Sequence, residues 1–392
     1  MYNKDLIIQK NEIDRRIKLL QDQLINQNID YAFIIQNADI FYFTGFVSAS
    51  ILLISQKDTI LFCRKDIDNV KNFSNLSNIV KINSFKDIGD YIESDKIQGF
   101  ELDVVPYSMI NYFKKILNPS KLVDISSLIR DVRAIKSDVE IRYIKKAANL
   151  LNILCREIVN YIKPGITEVE IFAKAQEILI KNGHQGYTRM RGFNQEMFYG
   201  HLLSGEEGII SGYLDAPTCG SGIYPAFPQG SSNRVIKQGD LVSVDLVGAY
   251  NGYHADQTRP FSCGKIDGIY YDNFQKALEI QDEVVSMIKP GIAWEDAYYK
   301  GIKIAKKLKI DEYFMGYFSK VKFIGHGIGV EVDEYPFLSP NFKKEFLPNM
   351  VFAIEPKIFL PKYGVIGIEN TYLITENGCE KITISPDKIT TA

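Results

Sequence analysis

The stretch Leu241-Val-Ser-Val-Asp245, followed after Asn251-Gly252 by Asp256-Gln-Thr-Arg259, decides the fold of the larger part of the chain. Asn-Gly is a strong signal for a two-residue hairpin turn, because both residues tolerate positive φ. A turn there places Asp245 and Asp256 on one face as diagonal neighbours, since side chains alternate along a strand. Two carboxylates on one face of an apolar hairpin repel each other unless a cation lies between them.

A second pair of acids repeats this arrangement further along the chain. The similar words Val351-Phe-Ala-Ile-Glu355 and Val365-Ile-Gly-Ile-Glu369 each end on a glutamate. Between the two acid pairs, His326 lies in a Gly-His-Gly-Ile-Gly loop, whose glycines permit close approach to a metal ion or substrate. Four carboxylates match the charge of two divalent cations, and carboxylates with one imidazole suit Mn, Fe, Co or Zn. The pattern therefore predicts a centre of two divalent ions.

An internal repeat indicates a duplicated domain. Ile162-Lys-Pro-Gly-Ile166 recurs as Ile288-Lys-Pro-Gly-Ile292, and each copy separates two helical stretches, since Pro-Gly ends a helix. Each half then leads into a strand that ends on a carboxylate. Two such halves facing each other would bring all four acids to a shared seam.

The first third of the chain has a different pattern. Apolar residues between Ile13 and Leu24 fall on one helical face, and short apolar runs typical of strands follow. Ser137-Asp-Val-Glu140 is a capping box that begins a new helix. We therefore predict an α/β domain with a mixed sheet over residues 1–131, and a catalytic domain over residues 132–392.

Composition excludes several classes of protein. The chain has 392 residues, a net charge of −2 and five cysteines, none of them in C-x-x-C spacing. A weakly acidic protein has no overall field for nucleic acid or an anionic membrane. No apolar run approaches the ~18 residues that span a bilayer. We expect a cytoplasmic protein with reduced thiols and with neither a nucleic-acid nor a membrane partner.

The order Asp, Asp, His, Glu, Glu resembles that of the pita-bread metallopeptidases, which include methionine aminopeptidases, Xaa-Pro aminopeptidases and prolidases. The spacing is 11 within the aspartate pair and 14 within the glutamate pair, and Ile354-Glu-Pro356 is similar to a ligand motif of that family. The first third and Arg133-x-x-Lys-Ser-x-x-Glu-Ile141 resemble the creatinase/prolidase branch. The implied fold is α+β, with an N-terminal creatinase-like α/β domain and a C-terminal duplicated pita-bread domain.

The resemblance also implies roles for the five residues. Asp245 would chelate one divalent ion, Asp256 and Glu369 would bridge two ions, and His326 and Glu355 would complete the second. The two ions would be Mn, Co, Fe or Zn, and Glu355 would shuttle a proton. An Xaa-Pro aminopeptidase or dipeptidase acting on a small peptide is implied, as is a homodimer.

The chain departs from the family pattern at three positions. The histidine usually found seven residues after the metal-binding histidine is Asp333, and another expected before the first ligand falls near Pro228. An arginine often found two residues before the last glutamate is Gly367. We further expect Arg259 either to orient Asp256 or to pair at the surface.

These departures leave the substrate open. His201, His254 or a donor from residues 211–232 can supply the missing contacts, which would leave a peptidase whose catalytic candidates are Glu355, His201 and Asp333. Alternatively, the site cleaves a non-peptide C–N bond or performs an elimination as a lyase. A protein that only binds a ligand is a third alternative, although such proteins tend to lose their metal ligands.

Overall fold

The structure is a computed structural model that describes residues 6–392. It divides into two compact units, one running to Arg133 together with Arg191–Asn194, the other comprising Ala134–Met190 and Gln195–Ala392. The predicted domain boundary at residues 131 and 132 falls inside a helix, Ser126–Ala134, which runs up to this division.

The first unit is built on a six-stranded mixed sheet in the order β4-β3-β2-β1-β5-β6. Its strands are β1 (Tyr31–Ile34), β2 (Ser50–Ser55), β3 (Thr59–Cys63), β4 (Ile79–Lys81), β5 (Ile97–Phe100) and β6 (Lys121–Asp124). Its helices are α1 (Lys10–Asn26), α2 (Asn37–Thr44), α3 (Ile67–Phe73), α4 (Tyr107–Leu117) and α5 (Ser126–Ala134). A 3-10 helix covers Phe85–Tyr91.

Local sequence accounts for the start of this unit. The face of α1 between Ile13 and Leu24 is buried, as its periodicity predicts. The β2–β3 hairpin turns at residues 56–58, where the sequence is polar. The predicted α/β character with a mixed sheet is confirmed, since β1 pairs antiparallel with β2 and parallel with β5.

The second unit contains the repeated helix pairs and three sheets. Its helices are α6 (Asp138–Ile158), α7 (Glu168–Lys181), α8 (Gly268–Met287) and α9 (Trp294–Lys307). Short 3-10 helices cover Val159–Tyr161 and Gly205–Ile209. Each Pro-Gly word of the repeat separates the two helices of a pair, as predicted. Capping boxes at Ser137 and Thr167 begin α6 and α7.

The strands of this unit form one four-stranded, one five-stranded and one two-stranded sheet. The first, in the order β17-β9-β8-β7, comprises β7 (Gly200–Ser204), β8 (Leu241–Tyr250), β9 (Tyr253–Ser262) and β17 (Thr390–Thr391). The second, in the order β11-β10-β12-β15-β16, comprises β10 (Gly325–Gly327), β11 (Glu334–Phe337), β12 (Val351–Ile354), β15 (Asn370–Ile374) and β16 (Cys379–Lys381). The third pairs β13 (Lys357–Leu360) with β14 (Gly364–Gly367).

The packing between these layers is apolar. Helices α8 and α9 bury one face against the strands around β12 and β14, with Trp294, Phe274 and Phe352 among the buried residues. Along residues 6–392, no helix is at once long enough and apolar enough to cross a membrane.

Candidate metal centre

The five side chains predicted as metal ligands meet inside the second unit. Asp245 lies on β8, Asp256 on β9 and His326 on β10, while Glu355 follows β12 and Glu369 precedes β15. All five are at most 8% exposed. Five polar groups are thus withdrawn from water at the meeting point of the two large sheets.

Two hairpins bring the acids together. The turn at residues 251 and 252 has positive φ at both positions, and Asp256 pairs with Val247, two residues from Asp245. The predicted register and the shared face of the two aspartates are therefore confirmed. In the other half, the β12–β15 ladder continues in the same register as β13–β14, so Glu355 lies opposite Glu369 where the ladder is interrupted.

Three of the five residues can hold one ion between them. The ligand atoms of Asp256, His326 and Glu369 all lie within 4.8 Å of one another. The Nδ1 atom of His326 lies 2.9 Å from the carbonyl oxygen of Val332, which assigns the proton to Nδ1. Its Nε2 atom then faces the carboxylates, 3.8 Å from Glu369 Oε1 and 3.9 Å from Glu355 Oε1.

The electrostatics of the acids favour a bound cation. Burial and the charge of Asp245 raise the pKa of Asp256 to about 7. Burial and the charge of Asp256 raise the pKa of Glu369 well above its usual value, and burial also raises the pKa of Glu355. Each shift means that the ionised form is destabilised by its surroundings, so a bound cation would stabilise the whole cluster.

Lys357 is a member of the site that the sequence analysis missed. Its Nζ atom lies 2.8 Å from Asp245 Oδ2, 2.6 Å from Glu355 Oε2 and 3.4 Å from Glu369 Oε2. Burial raises the pKa of Asp245, but the Lys357 ammonium outweighs it and holds that pKa at about 2. The signal was present, because period-two alternation places residue 357 on the same face as residue 355.

His201 lies beside the cluster, directly opposite Asp245 in the β7–β8 ladder. Its Nε2 atom is 3.2 Å from Gln229 Oε1, and its Nδ1 atom is 3.1 Å from Thr218 Oγ1. Thr218 in turn donates to Asp245 Oδ2 at 2.8 Å. Because the amide oxygen of Gln229 only accepts, Nε2 of His201 carries a proton. Burial lowers the pKa of His201.

The two positions where histidines are missing lie in different settings. Asp333 lines the cavity beside the cluster, its side chain is 37% exposed, and its Oδ1 atom lies 3.3 Å from His326 Nδ1. Pro228 offers only its carbonyl oxygen, which accepts from Cys219, whereas the next residue, Gln229, contacts His201.

Arg259 and His254 support the strands around the acids. Both expectations for Arg259 are wrong, because it is 2% exposed and its guanidinium donates to the carbonyl oxygen of Glu369 and to Asn370 Oδ1 instead of to Asp256. The expectation that His254 points away from Asp256 is wrong, because the two residues are two apart on β9 and lie on the same face. The Nδ1 atom of His254 lies 2.9 Å from the carbonyl oxygen of Gly329. Both residues are buried and stabilise the backbone that carries the ligands.

The donor set fits a divalent ion in one half of the centre. Asp256, His326 and Glu369 provide carboxylate oxygens and one imidazole nitrogen, the ligands that Mn, Fe, Co and Zn accept. The other half, beside Asp245, already contains the ammonium group of Lys357.

Comparisons with known proteins agree with this geometry. Residues 142–376 match Metallopeptidase family M24, and residues 16–135 match the Creatinase/Prolidase N-terminal domain. The chain is 28% identical over 377 residues to the Xaa-Pro dipeptidase of Pyrococcus furiosus, and the alignment covers 95% of this chain and 98% of the relative.

Solved structures show the same architecture. The prolidase from Pyrococcus horikoshii OT3 superposes with a TM-score of 0.81 at 26% identity, over 95% of this chain and 99% of that one. The Xaa-Pro dipeptidase from Bacillus anthracis, at 24% identity, has a TM-score of 0.82 over 97% of this chain and all of its own, and supports the fold alone. The creatinase-like and pita-bread fold predicted from the sequence is thus confirmed. The chain belongs to metallopeptidase family M24.

Proposed function

We propose that this chain hydrolyses the peptide bond before proline in dipeptides or short peptides, with the help of a divalent metal ion. The observation that carries the proposal is the buried convergence of Asp256, His326 and Glu369. It occurs in a family M24 chain that aligns over nearly its whole length with a relative named Xaa-Pro dipeptidase.

The cavity beside the acids has the composition such a substrate needs. Its wall contains a group of apolar residues, against which a proline ring could pack: Met190, Met197, Pro217, Phe323 and Val332. The acids and His201 lie on its polar side. An apolar wall with few convergent polar groups is typical of a small-molecule site.

Glu355 is the residue we assign to proton transfer. A bound divalent ion supplies Lewis acidity towards the scissile carbonyl group. Lys357 engages Glu355 Oε2, so that Oε1 points towards the ligands, 3.9 Å from His326 Nε2. Oε1 would accept a proton from the attacking water and deliver it to the proline nitrogen as the C–N bond breaks.

His201 and Asp333 would contact the substrate. The Nε2–H group of His201 donates to Gln229, and the same donor would bind the carbonyl oxygen as negative charge develops there. The partly exposed carboxylate of Asp333 would pair with the free α-ammonium group of the peptide. This assignment gives the chain its own contacts in place of the two missing histidines.

A substrate comparison tests the proposal. The Mn²⁺-loaded chain is incubated with Ala-Pro, Ala-Pro-Ala and N-acetylproline, with and without a chelator. We expect hydrolysis before proline in the first two compounds, abolished by the chelator. Turnover of the N-acyl compound alone would replace the proposal with a non-peptide C–N hydrolase. A chain that retains no metal and turns over nothing would be a binding protein.

A variant of His201 tests the donor role. His201→Leu, which removes the N–H donor, is expected to lower kcat on the order of 100–1,000-fold, the usual loss for an oxyanion donor. Its metal content should not change, because His201 reaches Asp245 only through Thr218. The matched control is His184→Leu, at a buried histidine whose Nε2 atom lies against the carbonyl oxygen of Val247. Equal activity of the two variants would contradict the role of His201.

A further inference from the structure

The side chain of Lys357 lies inside the centre, and the surrounding strands hold it in that position. The residue is 1% exposed, and its ammonium group touches three of the five expected ligands. Its backbone is held in β13, where its carbonyl oxygen accepts from Met315 N at 2.9 Å. The side chain therefore leaves the strand on the face of Glu355 and points at the acids.

The strand opposite makes room for the lysine stem. Gly367 pairs with Lys357 across β13 and β14, and a Cβ atom on residue 367 would lie 2.7 Å from Lys357 Cγ. Real Cβ atoms essentially never come so close to another heavy atom. The lysine stem therefore occupies the space that a side chain at position 367 would need. The inward position of the ammonium is thus built into the pair of strands.

The two halves of the centre differ in their protein donors. Both oxygens of Asp245 are engaged, since Thr258 Oγ1 lies 2.8 Å from Oδ1, and Oδ2 accepts from Thr218 and Lys357. In the other half, Asp256 Oδ2 and Glu369 Oε1 accept no hydrogen bond from any of residues 6–392. Among the described residues, the carboxylate oxygens that are free to bind a metal ion therefore lie in the half of the centre that contains Asp256 and Glu369.

We propose that the centre holds a single divalent ion, bound by Asp256, His326 and Glu369, and that the ammonium group of Lys357 replaces a second ion beside Asp245. This inference rests on the proposed metal dependence and specifies the number of ions and their ligands. An ion bound to Asp245 would need Oδ2, which Lys357 already contacts at 2.8 Å. A doubly charged ion within a few ångströms of the ammonium would also be strongly repelled.

Glu355 is affected by the same arrangement. Its Oε2 atom is held by Lys357 at 2.6 Å, so only Oε1 remains for the ion or for proton transfer. In a centre with one ion, the lysine thus takes over part of the charge compensation among the four acids and also fixes the rotamer of the residue we assign as proton carrier.

Metal stoichiometry tests the inference without reference to activity. The chain is loaded with excess Mn²⁺, desalted, and its metal content is measured by mass spectrometry. Electron paramagnetic resonance then distinguishes isolated Mn²⁺ ions from an exchange-coupled pair. We expect one ion per chain in the wild type, with the spectrum of an isolated ion.

Two variants sharpen the test. Lys357→Gly removes the ammonium, and we expect it to bind two ions and to show the coupled spectrum. The control Lys362→Gly lies in the turn of the same hairpin, is exposed, and has φ of 71°, which glycine accepts readily. It should bind one ion, like the wild type. Circular dichroism establishes that both variants are folded.

The outcomes separate this inference from the proposed function. Two coupled ions in the wild type would overturn it, whether or not Lys357→Gly folds. A folded Lys357→Gly protein that still binds one ion would also overturn it. Failure to cleave Xaa-Pro peptides, with one ion bound, would instead reject the proposed substrate and leave the role of Lys357 standing.

Discussion

Gly367 lies directly opposite Lys357 in the β13–β14 pair and presents no side chain to the lysine stem. The resemblance to the peptidases places an arginine at this position, and a Cβ atom there would lie only 2.7 Å from Lys357 Cγ. The chain therefore carries its positive charge on the opposite strand. The two residues therefore depend on each other, because the lysine side chain fits only when position 367 is a glycine.

Gly367→Arg should destabilise the wild-type chain, because the new side chain collides with Lys357. We expect a loss of about 1–3 kcal/mol in the free energy of unfolding, as is typical of overpacking. In the Lys357→Gly background the same arginine has room and supplies a cation to the acids, so its effect should be smaller or reversed. Urea unfolding of the four metal-free proteins measures the coupling energy, expected at ~0.5–3 kcal/mol. Strictly additive effects would show that the two positions act independently.

The β8–β9 hairpin shows what local sequence can predict. The Asn251-Gly252 turn sets the register, and alternation then places Asp245 and Asp256 on one face without knowledge of the rest of the chain. The convergence of His326 and the two glutamates depends on pairing between distant strands. Only the resemblance in motif order predicted this convergence, because no single turn connects residues that are so far apart in the sequence.

The burial of Lys357 in the site and the position of Gln229 beside it could not be predicted from the sequence. A lone lysine in an apolar strand is usually solvated at its tip, so only the depth of the packed site shows that this one is buried. The contact between Gln229 and His201 depends on a loop that returns to β7 after more than twenty residues. Its position could not be predicted from residue spacing, which pointed to Pro228 instead.

Asp256→Asn should lower metal content and abolish turnover. Asp256 offers one of the three ligand atoms that lie within 4.8 Å of one another, and an amide carries no charge for the ion. Loss of a direct ligand should exceed the ~10–100-fold loss of metal affinity usual for a residue behind a ligand. Metal titration and peptide hydrolysis check both effects. The control Asp272→Asn changes an exposed acid on α8 and should match the wild type. Full metal content in Asp256→Asn would remove this residue from the ligand set.

Glu168→Gln should destabilise the second unit. Glu168 is fully buried at the start of α7, where Oε1 accepts from the backbone N and the hydroxyl of Ser204, and Oε2 accepts from the same two groups of Ser232. A glutamine turns an NH₂ group towards one pair of donors, which we expect to cost about 1–3 kcal/mol in the free energy of unfolding. The control Glu157→Gln lies at an exposed position. Equal midpoints for the two variants in urea would contradict the role assigned to Glu168.

His184 should make the stability of the chain fall in mild acid. Burial lowers its pKa to about 4, and its two ring nitrogens contact the carbonyl oxygen of Val247 and the N–H group of Gly186, as a neutral ring allows. The unfolded chain takes up this proton near pH 6.5 and the native chain only near pH 4, so the contribution is complete above pH 6.5 and decreases as the pH falls towards 4. Between pH 7 and pH 5, the wild type should lose on the order of 1–2 kcal/mol more stability than His184→Asn. Urea unfolding of both metal-free proteins at the two pH values measures this difference. A difference that is zero, or of opposite sign, would mean that the pKa of His184 is not lowered in the native chain.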